Sequence, residues 1–415
     1  MLKNCVNSLV ASSNDVIEFK LVRQLEDLKD DRCTFKPAMS HQVFGDSESI
    51  FGYHDLKIQL YYSAGRLTTY FGISYSEKVT PDKFDGIQAD EIFDKVSEKL
   101  QPGFHTNLDD FCSDLEKDAN FVPFGDLKHS FTTNDGKRSW EIYMCEVTTP
   151  NFQKYHERLQ TFVLWFIDAA SFIDADDDHW RFFLVYEKYH LDGNIRYAMA
   201  GYATVYEYYA YPDNIRPRIS QMLVLPPFQR IGLGAQLLEN IYKHYTCRSG
   251  VVDITVLTSP VLVLTSPVLL VEDPSEEFQR LRDFVDARNC RNLQSFQPHL
   301  LEEGFRDEMV TEARAKLKLN KKQTRRIYEI LRLNAIDIHN DEQYRRYRLN
   351  VKNRLNIPYQ KELQDLKKFK EKMKDGELQA TLSFTDPGQR LESLDREYRE
   401  LEAQYQRVLQ RLTLC

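Results

Sequence analysis

The spacing of apolar residues changes character along the chain, and each change marks a different kind of element. Between residues 16 and 75, β-branched and aromatic residues come in short runs, and "IQLYYSAGRLTTYFGISY" from Ile58 reads as a hairpin turned at Ala64, Gly65 and Arg66. Residues 81 to 125 alternate acidic helical pieces, with a break at Pro102 and Gly103. The turn-rich "TTNDGKRS", Thr132 to Ser139, suggests a domain boundary before the strand candidate "WEIYMCEV". The spacing of Phe162, Trp165, Phe166 and Ala169 predicts a helix from about Gln153 to Phe172. "RFFLVYEKY" and "YAMAGYATVYEYYAY" predict two antiparallel strands around a turn at Asp192, Gly193 and Asn194. "ISQMLVLPPF" predicts a further strand, stopped by Pro226 and Pro227, and "VVDITVL" another.

Helical spacing dominates after Pro274. "NKKQTRRIYEILRLNA" and "DEQYRRYRLNVKNRL" are amphipathic, and Pro358 is expected to begin the next helix. Leu391, Leu394, Tyr398, Leu401, Tyr405, Val408 and Leu412 recur at spacings of three and four, a seam suited to intrachain packing or to a partner helix.

Composition narrows the setting. A chain of 415 residues is long enough for two or three domains. The seven cysteines are odd in number, with no CxxC or Cys/His ligand spacing, which points to a reducing compartment and no structural zinc. Residues 1 to 20 lack the apolar run of a secretory signal. The most apolar stretch, Val256 to Val271, has 16 residues and contains Pro260 and Pro267, too short and too interrupted to span a bilayer. No membrane partner is expected.

Charge is unevenly divided. Residues 1 to 300 carry a net charge of -13 and residues 301 to 415 a net +5. An acidic body argues against direct DNA binding and is compatible with a basic peptide substrate.

Candidate chemistry concentrates in "ISQMLVLPPFQRIGLGAQLLENIYKHYT", Ile219 to Thr246. An apolar strand runs into a turn with two glycines, and an amphipathic helix follows at once. Glycines let a ligand approach the backbone, and the first-turn N–H groups have no intrahelical acceptor. A diphosphate suits such a site. The spacing is neither GxGxxG nor GxxxxGK[ST], and a turn needed only for tight packing would look the same.

The resemblance sharpens this reading. Gln229 to Ala235, Q-R-I-G-L-G-A, after "MLVLPPF", resembles the acetyl-coenzyme A motif Q/R-x-x-G-x-G/A of the GCN5-related N-acetyltransferase superfamily. The wider stretches "HQVFGDSESIFGYHDLKI", "YHERLQTFVLWFIDAASFIDADDDHW", "YEYYAYPDNIRPRISQMLVLPPFQ" and "EDPSEEFQRLRDF" resemble one family within it, the type B histone acetyltransferases, from about residue 17 to the C-terminal helices.

That resemblance implies an α+β chain with the GCN5-related N-acetyltransferase fold and a mixed central sheet. It also implies an N-terminal α/β substrate-binding domain over 1–137, an acetyltransferase domain over 138–306, and a helical domain over 307–415. For acetyl-CoA it implies pairing of the pantetheine arm with Met222, Leu223 and Val224. The diphosphate would sit on Gln229, Arg230, Ile231, Gly232, Leu233, Gly234 and Ala235. Close relatives read Q-G-Q-G-H-G where this chain has Q-R-I-G-L-G.

A lysine amine, with a pKa near 10.4, must lose its proton before attacking a thioester. The resemblance implies Glu272 as principal base, Asp273 beside it, and Asp168 as a supporting carboxylate where the family has glutamate. "EDPS" before "EEFQRLRDF" is also good helix-capping chemistry, with Asp273 or Ser275 as cap. No metal is called for.

Between "DIT" and "EDPS" the chain carries the tandem repeat VLTSPVL, an insertion over 256–271 that the relatives lack. Either Val251 to Thr255 remains the core strand and the repeat loops out, or the final "PVLLV" replaces it.

For the substrate, the resemblance implies a groove lined by Asp46, Ser47, Glu48, Trp180, Tyr206, Glu207 and Tyr208, with Ser47 standing where the family is acidic. Acidic groups attract a basic tail, and aromatic rings hold lysine methylenes. Read alone, the tyrosines suit a half-buried strand and "DADDD" a solvated helix end. The implied substrate is the N-terminal tail of newly synthesised histone H-four. The implied partner is a retinoblastoma-binding WD40 histone chaperone, and the implied location is nucleus and cytoplasm. Lys321, Lys322, Arg325 and Arg326 fit either a partner contact or a solvated helix face. Two other readings stay open, acetyl transfer to another protein or a small amine, and a histone-chaperone scaffold with an impaired site.

Overall fold

A computed structural model of the chain describes residues 9–82, 86–133, 136–174, 176–256, 274–370 and 387–413. They form two compact units, 1–273 and 274–415. The first holds two mixed sheets, and the second is helical.

In the first unit, β1 (Ile17–Val22) pairs with β2 (Thr34–Phe35) on one side. On the other it runs parallel to β3 (Lys57–Ser63), which turns back into β4 (Thr69–Ser74). The predicted hairpin is therefore present. Its turn is held by the Asp118 carboxylate, which accepts from Gly65 N at 2.6 Å, Arg66 N at 2.9 Å and the Ser63 hydroxyl at 2.8 Å.

The central sheet has the order β10-β9-β8-β7-β6-β5: β5 is Asp126–Thr133, β6 Arg138–Glu146, β7 Trp180–Leu191, β8 Asn194–Ala210, β9 Asn214–Val224 and β10 Thr255–Val256. All neighbours are antiparallel except β9 and β10. The turn signals that suggested a domain boundary at 132–139 belong instead to the β5–β6 hairpin. A tight hairpin and a linker draw on the same residue types. The strand expected over "VVDITVL" is short. Val251 bridges to Ile215, and Thr255 and Val256 pair with Arg218 and Ile219. The earlier of the two candidate segments thus lies beside β9, and 257–273, with nearly all of the repeat, lie outside the described residues.

Alternation along β7 decides what packs on each face. Phe182 meets Phe152 and His156 of helix α3 (Phe152–Leu159). Phe183 meets His244 and Tyr245 of helix α5 (Leu233–Thr246). The smaller sheet joins this core through Phe19, whose ring packs on Phe162, and on Trp165 and Phe166 of α4 (Val163–Phe166). An ionic clamp ties the two sheets. Buried Glu187 on β7 accepts from Arg138 at 2.7 and 2.9 Å and from Arg23, after β1, at 2.5 Å. Burial pushes its carboxyl up, but the two guanidinium groups outweigh burial and hold it below the ordinary range.

The predicted helix over 153–172 stops early, at Phe166. Ala38 N and Met39 N both donate to the Trp165 carbonyl, at 2.9 and 3.2 Å, taking the acceptor that the next turn would use. Ile167 turns extended and Ala169 takes a left-handed φ of 53°. Asp168 therefore sits on a loop.

In the second unit the helices are α6 (Glu276–Cys290), α7 (Pro298–Glu303), α8 (Asp307–Leu317), α9 (Lys321–Ala335), α10 (Asp341–Lys370) and α11 (Pro387–Thr413). Pro358 does not start a helix. It lies inside α10 on the exposed side, where the carbonyl it leaves without an N–H can turn to water. The seam on α11 buries Leu394, Tyr398, Tyr405, Val408 and Leu412 within the unit, and leaves Leu391 exposed. At its centre Glu329, fully buried, accepts from Arg325 at 3.1 Å, from Arg354 at 2.7 and 2.9 Å, and from Tyr405 at 2.9 Å. Arg326 donates to Asp283 at 2.7 Å. Lys321 also reaches Asp307 at 3.3 Å, so three of the four basic residues that fitted a partner contact are engaged inside the unit.

Removing the charge of Glu329 leaves two arginines facing a neutral group. Glu329→Gln should lower stability by about 3 kcal/mol, seen as an earlier urea transition in far-ultraviolet circular dichroism. His156 gives a pH signature. It is 1% exposed, neither ring nitrogen has a hydrogen-bond partner among the described residues, and burial lowers its pKa from 6.5 to about 4. The unfolded chain takes up a proton below about pH 6.5 that the folded chain refuses until about pH 4, so stability falls as pH drops through that window. Between pH 7 and pH 5 the loss should be about 2 kcal/mol, and His156→Leu should abolish that part. All three tryptophans lie in the first unit, so their fluorescence reads this transition.

Candidate functional site

β9 carries one end of the site. On the β8 side it is paired as far as Val224, opposite Gly201. On the β10 side, among the described residues, its pairing ends at Ile219. Among the described residues no strand pairs with Ser220–Val224 on that side, so this backbone edge can be offered to an extended ligand with amide groups. Gly201 permits the close approach of β8, since a Cβ there would lie 2.6 Å from the Leu223 carbonyl oxygen. Met222 and Val224 are half-buried and Leu223 is buried, as alternation requires.

The strand stops at Leu225, and Pro226–Phe228 form one 3-10 turn. Gln229 folds back, its side-chain amide donating to the Val224 carbonyl at 2.8 Å. Arg230 takes φ 64°, a conformation that glycine adopts at no steric cost and arginine does not. Gly232, φ 92°, is the N-cap of α5 and offers no side chain to cap it. Ala235 N and Gln236 N make the first bonds back to Gly232 O, so the N–H groups of Leu233 and Gly234 precede the intrahelical ladder. A Cβ on Gly232 would meet nothing within 4 Å. An uncapped helix start, a glycine cap and open space in front of it fit a phosphate group.

The loop after α4 forms the second part. It is pinned from both sides. Gln42 donates to the Ala170 carbonyl at 2.8 Å, and Gln221, next to Met222 on β9, donates to the Ser171 carbonyl at 2.8 Å. Just before these anchors Asp168, its side chain 76% exposed, has Oδ1 3.1 Å from His41 Nε2. The other ring nitrogen of His41 lies 3.7 Å from Glu48. Glu48 has a left-handed φ of 45°, and its carboxylate caps the short helix α1 (His41–Phe44), accepting from Ser40 N at 2.6 Å and His41 N at 3.0 Å. Asn14 donates to its other oxygen at 2.7 Å. These bonds, that from Ser40 first, hold its carboxyl below the ordinary range. Asp46 and Ser47 are exposed beside it, with Ser49 donating to Ser47 at 2.8 Å.

The third part is an aromatic face. Trp180 meets Tyr206 edge-on with ring centroids 4.9 Å apart, and Tyr208 lies 4.5 Å beyond. The Tyr206 hydroxyl donates to Asp177 at 2.8 Å, and burial, with Asp177 behind it, pushes that phenol up to about 12. Asp177 also caps the turn at His179, so part of "DADDD" shapes the entry to β7 rather than a helix end. Asp177, Asp178 and His179 bring ligand-type atoms within 4.8 Å of one another, but an acidic cluster at the surface is common without an ion. Glu207, between the two tyrosines, is separated from this face. It is 5% exposed and paired with Arg181 at 3.1 Å and Arg248 at 2.5 Å.

Glu272 and Asp273 lie outside the described residues. Of the two capping candidates there, Ser275 caps α6, accepting from Phe278 N at 3.2 Å. The sequence reading missed His41, Gln42 and Gln221. The only signal for His41 was its place at the head of "HQVFGDSES", just before the acidic positions singled out.

Comparison with known proteins bears on the whole chain. Residues 9–168 match the family described as "Histone acetyl transferase HAT1 N-terminus", and residues 282–333 match "Histone acetyltransferase type B catalytic subunit, C-terminal". The chain is similar to the histone acetyltransferase type B catalytic subunit of Homo sapiens, 46% identical over 405 residues, covering 97% of this chain and 93% of that protein. It is 46% identical over the same length to the Mus musculus protein, covering 97% and 94%. With a Dictyostelium discoideum relative of the same description it shares 31% over 402 residues, covering 90% and 81%. The match spans the phosphate-type turn, the pinned loop and the aromatic face alike, and the chain belongs to the histone acetyltransferase type B catalytic subunit family, an acetyltransferase.

Proposed function

We propose that the chain transfers the acetyl group of acetyl-CoA to lysine amines in the N-terminal tail of newly synthesised histone H-four, by direct attack in a ternary complex. The observation that carries this reading is the chain-long identity to type B catalytic subunits, 46% over 97% of the chain, together with a strand edge that is unpaired among the described residues and runs into an uncapped glycine turn. The family implies acetyl-CoA as co-substrate, and the fit of residues 222–235 supports it. Met222, Leu223 and Val224 would pair with the pantetheine amides. The turn from Gln229 to Ala235 would hold the diphosphate, with Arg230 adding a cation that close relatives' glycine lacks. Bound there, the cofactor supplies an activated thioester.

The chain's own residues must then neutralise a lysine and aim it. Glu272 is the proposed base, with Asp273 beside it and Asp168 as a supporting carboxylate. For Glu272 and Asp273 the support is the resemblance alone. For Asp168 it includes the loop geometry, since Gln221 ties that loop to the strand proposed to hold the pantetheine. Asp46 and Glu48 would attract the tail, and Trp180, Tyr206 and Tyr208 would hold the lysine methylenes. Glu207 is better suited to holding β7 and α5 together through its two arginines than to touching substrate. A WD40 histone chaperone of the retinoblastoma-binding type is the proposed partner, and nucleus and cytoplasm the proposed location.

Two variants test this. Gly234→Glu places bulk and negative charge against the diphosphate and should abolish acetyl-CoA binding in calorimetry while the chain stays folded; retained affinity would remove the cofactor assignment. Glu272→Gln keeps size but not basicity. It should leave acetyl-CoA affinity unchanged and lower turnover on an H-four tail peptide by roughly 10²- to 10⁴-fold. Raising pH should recover part of that loss, because more lysine is then already neutral.

A further inference from the structure

We propose that His41 is a positioning residue for acetyl transfer: it stands between Glu48 and Asp168 and holds the supporting carboxylate where the lysine amine enters. This rests on the proposed reading of Asp168 and Glu48 and goes beyond it, because it assigns a role to a side chain that no motif marks.

The need for such a residue follows from two features of the chain. Asp168 lies on a loop beyond the last turn of α4, with its side chain 76% exposed. It is also one methylene shorter than the family's glutamate. A short exposed carboxylate on a loop has no fixed direction unless something fixes it, and precise placement is what a proton-handling group requires. Nε2 of His41 stands 3.1 Å from Oδ1, an ion-pair contact rather than an aligned hydrogen bond, and gives the carboxylate a polar neighbour to turn towards.

His41 is itself held. It is the first residue of α1, and its backbone N–H donates to the Glu48 carboxylate at 3.0 Å. Nδ1 faces the same Glu48 oxygen at 3.7 Å, too far for a hydrogen bond but within ion-pair range. The segment carrying His41 grips the loop carrying Asp168 at three more points: Ala38 N and Met39 N on the Trp165 carbonyl, and Gln42 on the Ala170 carbonyl. Four contacts join two stretches more than 120 residues apart in sequence, and only that of His41 reaches a carboxylate. Glu48, proposed to meet the incoming lysine, and Asp168, proposed to support its deprotonation, thereby share one imidazole. The ring is only 31% exposed at its side chain, so its orientation is set by these neighbours.

The test uses the full chain, acetyl-CoA and an H-four tail peptide, with His41→Leu, His41→Gln, Asp168→Asn and the corresponding double variants. His41→Leu should lower kcat on the order of 10-fold, with KM for acetyl-CoA unchanged. His41→Gln, whose amide nitrogen can occupy the Nε2 position, should restore part of the loss. Adding either His41 change to Asp168→Asn should cost no more than Asp168→Asn alone, because the two residues act as one unit. Fluorescence of the tryptophans, with Trp165 at the head of the loop, checks folding. If His41→Leu does not fold, the coupling of His41→Gln with Asp168→Asn decides. If Asp168→Asn slows turnover and both His41 variants do not, the positioning role is overturned and the proposed function stands. Additive losses, or a rise in acetyl-CoA KM with unchanged kcat, would also overturn it. If Glu272→Gln and Asp168→Asn both leave turnover intact, the catalytic reading itself has failed.

Discussion

The carbonyl of Trp165 is the hinge of the first unit. By accepting from Ala38 and Met39 it cannot serve the next helical turn, so a chain whose apolar spacing would carry a helix to Phe172 leaves it at Phe166. The Trp165 ring, meanwhile, is buried against Phe19 and Phe44. One residue thus supplies the packing that joins the smaller sheet to the central one and the polar contact that frees a loop at their junction. Without that loop Asp168 would ride on a helix face, and neither Gln42 nor Gln221 would have a carbonyl to hold.

β9 answers a related constraint. A strand proposed to receive a ligand must be held on one edge and left open on the other. Pairing with β8 up to Val224 satisfies the first condition, and the close approach at Gly201 strengthens it. On the other edge Arg216 donates to the buried Asp253 carboxylate at 2.6 Å, anchoring the short β10 near the start of β9 and leaving the later residues unpaired among the described ones. The turn that follows accepts an arginine in a left-handed conformation, a strain on the order of 1 kcal/mol.

The electrostatics are more selective than the net charge suggests. Of the acidic groups in the first unit, Glu187, Glu207 and Glu141 are buried and matched to arginine or lysine, which makes them structural. Asp168 and Asp178, with side chains 76% and 82% exposed, lie at the surface. A basic tail would therefore feel a few placed carboxylates rather than a uniformly acidic body.

Much of the fold is written in local residue patterns. Apolar periods located the β3–β4 and β7–β8 hairpins, the strand before Pro226 and the helical second unit, because period and turn chemistry are local properties. The strand-turn-helix at 219–246 was legible for the same reason: glycines and prolines act where they stand. The remainder depends on partners distant in the chain. The end of α4 is set by residues 38 and 39, the burial of Glu207 by Arg181 and Arg248, and the meeting of His41 with Asp168 by a grip between two loops. The local preference of Pro358 for a helix start is real, but its exposed place inside α10 lets water take the carbonyl it leaves free. Local chemistry names the residues capable of a function; long-range packing selects which of them face one another.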